Sequence, residues 1–233
     1  MKRIIGMAAT MLLTATLAGQ TPEKDTTEVM QHNNSFATSL LKTASSAVEE
    51  ENFCISPASA MWALAMSANG ADGKTAKEIY AALGYPAAYK SREAFNEMLH
   101  SGIEKMKGDN DKYQQMNIAN SIWIDNKIDV KELFKSTSER YYNAVVRSVP
   151  LSTAAEEIND WCSKETNGRI TNIIEHLPST LQMAVVNAIW FKGQWVFPFM
   201  EKATSKQKFK KADGKTIDID MMRGACFAPY YED

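Results

Sequence analysis

The segment that most constrains the fold begins at Val185, ends at Trp195 and reads VVNAIWFKGQW. One polar residue, Asn187, interrupts its apolar and β-branched residues, and the run stops at Lys192-Gly193. A short apolar run that ends at a glycine turn predicts a strand buried on both faces of a sheet. An unpaired amide inside such a strand would cost about 1–3 kcal/mol, so we expect Asn187 to have hydrogen-bond partners.

Helical patterns dominate the first half of the chain, and strand patterns dominate the second half. The predicted helices lie at about 29–48, 57–70, 75–84, 91–106, 130–142 and 153–168. The predicted strands lie at 53–55, 116–124, 144–149 and the Val185 segment, followed by a hairpin around Asp213-Gly214. Helices placed between strands that are distant in sequence indicate an α+β fold with a large mixed sheet. No Pro/Gly/Ser linker divides the chain, which favours one core over two.

Three helices have recognisable start signals. Ser56 precedes a proline, and this pair is typical of a helix cap followed by the first turn. No charged residue occurs at 57–68, which predicts a buried helix. Thr75 and Thr153 each precede a glutamate by three residues, the spacing of a capping box.

The N-terminus, residues 1–18, has the pattern of a secretory signal peptide. Lys2 and Arg3 are followed by a largely apolar stretch, and small residues surround a cut site after Ala18. The apolar stretch is shorter than the roughly 20 residues that a spanning helix needs, which favours export over a membrane anchor. We therefore expect a secreted protein, extracellular or periplasmic, without a membrane attachment once the signal is removed.

The three cysteines, Cys54, Cys162 and Cys226, form an odd count, which does not fit a disulfide scaffold. They are either reactive or intermolecular thiols or small buried hydrophobic residues. Apolar residues flank Cys54 and Cys226, which favours the buried alternative.

Motifs for catalysis, metals and nucleic acid are absent from the sequence. The three histidines belong to no HExxH motif and accompany no Cys-x-x-Cys pair, so we expect no zinc site, and nothing indicates another metal or a cofactor. No G-x-S-x-G elbow occurs, although a triad assembled from distant residues stays open. Basic and acidic residues are nearly balanced, 26 against 28, so nucleic-acid binding is not expected. We expect a protein that is not an enzyme.

Four separated blocks of this sequence resemble the serpins, the family of suicide protease inhibitors. The first block includes Ser56-Pro57-Ala58-Ser59, and the second includes Ile158-Asn159-Asp160-Trp161. In chain order the blocks are residues 52–85, 158–170, 185–204 and 216–222. Their order matches that of the family, and the resemblance covers residues 27–233. It implies a serpin domain over 27–233, a multi-helix domain with a large mixed central β-sheet.

The resemblance implies a mechanism of inhibition. In inhibitory serpins a protease cuts an exposed reactive loop and becomes acylated, and the loop then inserts as a new strand into the central sheet. The extra strand adds a full ladder of backbone hydrogen bonds, so the uncut fold is a kinetic trap. The implied partner is a serine protease or, as for some members of the family, a cysteine protease.

The resemblance also implies roles for four residues. Ser56, Ser59 and Asn187 match the shutter region beneath the opening of the sheet, where hydroxyls and an amide exchange partners as strands part. Trp195 matches the breach tryptophan at the top of the sheet, where insertion begins. Alternatively, Ser56 is a helix cap, Asn187 a satisfied core amide and Trp195 an ordinary buried aromatic residue.

The C-terminal part of the family pattern has no counterpart here. We expect the hinge, the reactive loop with its scissile bond, the shutter histidine and the last strands to lie outside these 233 residues. A fragment of an inhibitor is favoured over a shortened protein with another role, and the chain alone is expected to be inactive. The complete form is predicted to be a secreted protease inhibitor. The alternative is a non-inhibitory serpin-like binding or structural protein.

Overall fold

The computed structural model describes residues 22–48, 52–108 and 110–224. Within them the α-helices are α1 (Pro22–Ala47), α2 (Pro57–Gly70), α3 (Gly73–Ala82), α4 (Arg92–Lys107), α5 (Glu132–Tyr142) and α6 (Ala155–Glu165). The strands are β1 (Gln114–Asp125), β2 (Ala144–Val149), β3 (Met183–Gly193), β4 (Ser205–Lys210) and β5 (Thr216–Met221). Short 3₁₀ helices occur at Pro86–Lys90, Leu151–Thr153 and Glu201–Ala203. The predicted α+β class is confirmed.

The central sheet is mixed and has the strand order β2-β1-β3. β1 runs parallel to β2 and antiparallel to β3, and the register places Asn120 of β1 opposite both Ala144 and Asn187. β4 and β5 form a separate antiparallel hairpin in which Lys206 is opposite Asp220. Among the described residues, β3 is therefore an edge strand with β1 as its one neighbour.

Different helices cover the two faces of the central sheet. Because side chains alternate along each strand, neighbouring residues of β1 contact different helices. Ile118 and Ile122 of β1 belong to a buried cluster with residues of α2, α4 and α5. Ala119 and Trp123 belong to a second buried cluster with Ile158 and other residues of α6. The expected single core is thus divided by the sheet into two apolar layers.

Helix α2 confirms the predicted helix and its start, but it is buried only in part, since Leu64 is 36% exposed. The Ser59 backbone N–H donates to Ser56 Oγ at 3.3 Å, so Ser56 caps the helix, and Pro57 occupies its first turn. The helix ends at Gly70, where an added Cβ would lie 3.0 Å from Cε2 of Phe134. Glycine therefore permits the close approach of α5.

The two predicted capping boxes are wrong. Helix α3 has Asp72 at its N-cap and α6 has Ala154, and neither cap makes a side-chain hydrogen bond. The Thr153 hydroxyl instead donates to the Pro150 carbonyl at 3.1 Å, within a preceding 3₁₀ turn. The threonine spacing therefore does not mark where these helices begin.

Two expectations about strands are also wrong. Residues 53–55 form no strand, because within the described chain no other strand pairs with them, and Phe53 is exposed. β3 is not buried on both faces: Val186 and Ala188 are buried, whereas most of its residues are half-buried or exposed. The strand buried on both faces is β1, which is buried from 118 to 124 because it is the central strand and each of its faces packs against helices.

The cysteines divide between the two alternatives. Cys162 is buried in the cluster under α6, where burial raises the pKa of its thiol, so the hydrophobic interpretation is confirmed there. Cys54 is exposed, which contradicts that interpretation. Cys226 and the predicted signal peptide lie outside the described residues. No helix in the described ranges has the length and apolar character needed to cross a bilayer.

Candidate functional site

A pair of asparagines joins the edge strand β3 to the centre of the sheet. Asn187 Nδ2 donates to Asn120 Oδ1 at 2.7 Å, and Asn120 Nδ2 donates to the Tyr142 carbonyl at 2.7 Å. Asn120 is 1% exposed. The expected hydrogen bonding of Asn187 is therefore confirmed for its NH₂ group, and its partner belongs to a strand 67 residues away.

The side-chain oxygen of Asn187, unlike its NH₂ group, makes no hydrogen bond among the described residues. This oxygen, Oδ1, is buried. A side-chain amide has two donors and one acceptor oxygen, so Asn187 uses part of its bonding capacity. A buried acceptor without a donor destabilises the folded state. Asn187 Oδ1 can therefore accept one more hydrogen bond from a donor that approaches β3.

The two serines form a separate group at the start of α2, a helix that packs against β3. Their hydroxyl oxygens lie 2.9 Å apart. Ser56 is exposed and Ser59 is half-buried. In the described structure no hydrogen bond joins either serine to Asn187. The capping role of Ser56 is confirmed, whereas a common shutter of Ser56, Ser59 and Asn187 stays a prediction.

Trp195 follows the end of β3 and is 70% exposed. Its ring contacts Phe199 edge to face, with 5.5 Å between the ring centroids. The alternative of an ordinary buried aromatic residue is therefore wrong. The breach role of Trp195 stays a prediction.

Sequence reasoning missed Asn120 and Tyr142. Asn120 is the one polar residue in the alternating series Met116, Ile118, Asn120, Ile122 and Ile124 of a predicted strand, so its need for a partner was detectable. Tyr142 gave no such signal, because its contribution to Asn120 is a backbone carbonyl. Burial raises the pKa of the Tyr142 phenol, while the hydrogen bond with Asn69 lowers it. The phenol thus stays protonated and able to donate.

Two open cavities lie beside α6. One, of 570 Å³, is lined by α6 and the segment after it, including Glu156, Asp160 and Glu175. The other, of 320 Å³, lies between α6 and the ends of β1 and β3 and includes Trp190. Both linings are mainly polar, unlike the enclosed apolar pockets typical of small-molecule sites. In the described part of the chain, no group of three or more histidine, cysteine or acidic residues is arranged to hold a metal ion.

Comparison with known proteins places this architecture in a family. Residues 31–233 match the family described as Serpin (serine protease inhibitor). The chain therefore belongs to the serpin family, and the predicted resemblance is confirmed. The fold is similar to that of AtSerpin1 from Arabidopsis in its native stressed conformation. That structure has a TM-score of 0.74 and 26% identity, with 84% of this chain and 51% of that chain covered.

Curated relatives include proteins with different names. The chain is 28% identical to corticosteroid-binding globulin of Oryctolagus cuniculus over 86% of this chain and 53% of that protein. It is 32% identical to neuroserpin of Homo sapiens over 75% of this chain and 43% of that protein. The chain thus spans about half the length of these relatives. Family membership alone does not decide between inhibition and binding.

Proposed function

We propose that the complete protein is a secreted serpin-type protease inhibitor that traps its target as a suicide substrate and inserts its reactive loop into the central sheet. The target is a serine or cysteine protease, and the protein itself catalyses no reaction. We assign residues 1–18 to a signal peptide and 27–233 to the serpin domain. N-terminal sequencing of the exported protein tests the first assignment, with a mature terminus after Ala18 expected and an intact Met1 contradicting it.

The observation that supports this proposal is the bonding of Asn187 on the edge strand. The amide is tied to the centre of the sheet through Asn120, yet its buried Oδ1 is without a partner in the described chain. β3 also has no strand on its outer side among the described residues. An inserted strand needs a free strand edge and polar groups that change partners as it enters.

We assign the shutter to Ser56, Ser59 and Asn187, and the breach to Trp195. The serine hydroxyls lie 2.9 Å apart at the start of a helix that packs against β3, the strand at the edge of the described sheet. The exposed ring of Trp195 lies just beyond the end of β3, beside the point where a new strand would begin to pair.

The second candidate is a non-inhibitory binding protein. The similarity to corticosteroid-binding globulin favours it, because that name states binding of a corticosteroid. The hinge before the reactive loop separates the two candidates. Small residues there permit insertion, whereas bulky or charged residues hinder it.

The deciding experiment starts with the coding sequence downstream of Asp233. The encoded protein is then incubated with trypsin-like, chymotrypsin-like, elastase-like and papain-like proteases. Inhibition by trapping predicts a covalent complex that survives SDS with at least one of them. The 233-residue chain is the matched control, and we expect no complex from it, because it spans about half the length of its relatives. Cleavage without a stable complex, together with saturable corticosteroid binding, would instead establish the binding protein.

A further inference from the structure

A second buried polar group lies where three helices meet. Asn69 of α2 and Asn96 of α4 face each other as a reciprocal amide pair, each Nδ2 donating to the other's Oδ1 at 3.0 and 2.9 Å. The hydroxyl of Tyr142, the last residue of α5, donates to Asn96 Oδ1 at 2.7 Å. Asn96 is 2% exposed and Tyr142 is fully buried, so water does not compete for these bonds.

This group is continuous with the candidate site through Tyr142. The phenol of Tyr142 bonds to Asn96, while its backbone carbonyl accepts from Asn120, which in turn accepts from Asn187. An unbroken series of hydrogen bonds thus runs from α2 and α4, through the end of α5, to the edge strand β3.

The carbonyl of Tyr142 is available because α5 ends there. Asn143 follows in the left-handed conformation with φ 51° and closes the helix by donating to the Ser138 carbonyl. The last four carbonyls of a helix have no partner within it, so each needs a donor from elsewhere. Asn120 supplies that donor for Tyr142. The position of the carbonyl therefore depends on how the end of α5 is held.

The amide pair of Asn69 and Asn96 can hold the end of α5 in one position. Two facing amides satisfy one another in a single planar arrangement, and a satisfied buried network selects one geometry in a way that apolar contacts do not. The phenol of Tyr142 adds α5 to that arrangement.

We propose that Asn69, Asn96 and the Tyr142 hydroxyl are positioning residues for the edge of the central sheet. They set the end of α5, and through its carbonyl they orient Asn120 and the bond that Asn120 makes to Asn187. This proposal rests on the proposed function, because it identifies the residues that position the side-chain amide of Asn187, which is assigned to the shutter. Its test measures coupling within the folded chain and needs no protease, so its failure is distinguishable from failure of inhibition.

The test is a double-mutant cycle between Tyr142→Phe and Asn187→Ala, measured by urea unfolding. Tyr142→Phe removes the hydroxyl but retains the ring and the carbonyl. If the network is coupled, the midpoint shift of the double variant is smaller than the sum of the single shifts. The matched control pairs Asn187→Ala with Asn159→Ala, whose amide donates to the Ile174 carbonyl at 2.8 Å beside α6. Those shifts are expected to add.

A second measurement covers the case in which Asn187→Ala does not fold. The side-chain amide signals of Asn120 and Asn187 are recorded by ¹H–¹⁵N NMR in the parent chain and in Tyr142→Phe. Positioning predicts that both signals move, whereas the Asn159 side-chain signal does not. Additive midpoint shifts in the cycle, or unmoved Asn120 and Asn187 signals, would contradict the proposal. They would show that the Tyr142 hydroxyl contacts the neighbouring helices without positioning Asn120.

Discussion

Residues 31–193 and residues 194–224 differ in how they use their apolar side chains. In the first region, β1 lies between two layers of helices, and Trp123 is fully buried. In the second region, every residue of β4 is exposed, and Met200 is 64% exposed. Both regions have the alternation or turn signals of strands, but only the first has a layer that covers them among the described residues.

This difference shows that the interactions that form a strand are not the ones that bury it. The β4–β5 hairpin is held by its own cross-strand bonds and by the turn at Gly214, where φ is 83°. A two-stranded hairpin without a covering layer is marginally stable in water. Burial in the first region instead depends on contacts between elements distant in sequence. The proposed function depends on this packed first region, in which the edge strand β3 would be held or released.

The sharpest contrast between the regions is between two tryptophans. Trp123→Ala should lower the free energy of unfolding by about 3–5 kcal/mol, because it removes a fully buried ring and leaves a cavity. Its indole N–H also donates to Ser121 Oγ at 2.9 Å. Trp195→Ala should change the same quantity by less than about 0.5 kcal/mol. Urea unfolding followed by circular dichroism measures both free energies. Equal losses of stability in the two variants would contradict the difference in burial between the two regions.

A smaller contrast concerns amide side chains. Asn120→Ala should cost about 1–3 kcal/mol, because it leaves the Tyr142 carbonyl and the Asn187 NH₂ group unpaired inside the protein. Gln207→Ala in β4 is the control, since its exposed amide bonds to Ser205 Oγ at 3.1 Å in contact with water. We expect less than about 0.5 kcal/mol there. A neutral Asn120→Ala, measured by the same unfolding method, would show that the buried amide contributes nothing.

The smallest effect is expected at an ion pair of the hairpin. Lys206 Nζ lies 3.1 Å from an Asp220 carboxylate oxygen, and both side chains are exposed. Lys206→Ala should therefore change the unfolding free energy by about 0–1 kcal/mol, and added salt should reduce even that. A loss comparable to that of Asn120→Ala would mean that the hairpin is packed more tightly than its exposure indicates. Thermal unfolding at low and high salt distinguishes these results.

Sequence patterns were most informative where the signal is local. The serine cap before α2, the bounds of β2 and the hairpin around Gly214 follow from neighbouring residues, and all were predicted. The strand at 53–55 and the burial of β3 were wrong because each depends on a neighbouring strand that local sequence does not reveal. The threonine capping boxes failed because Thr75 lies inside α3, which begins two residues earlier, and Thr153 lies in the 3₁₀ turn before α6.

The candidate site was predictable in part for the same reason. An asparagine in an apolar strand indicates that a partner is required, and Asn187 was recognised on that ground. The partner depends on the register between β1 and β3, which places Asn120 opposite Asn187. Long-range pairing sets this register, and no local pattern in either strand specifies it. The contribution of Tyr142 was inaccessible, because any residue type has a carbonyl.

The measurement that tests the central claim most directly is conversion on mild heating. If the Asn187 bond to Asn120 holds the edge strand closed, Asn187→Ala lowers the barrier to opening of the sheet. Timed heating of the complete protein, followed by native gels, should then show latent or polymeric species appearing several-fold faster in the Asn187→Ala variant than in the unsubstituted complete protein. Asn159→Ala, in α6 on the other face of the sheet, should convert at the rate that its stability alone predicts. An unchanged conversion rate with unchanged thermal stability would make Asn187 an ordinary core amide and contradict the shutter assignment.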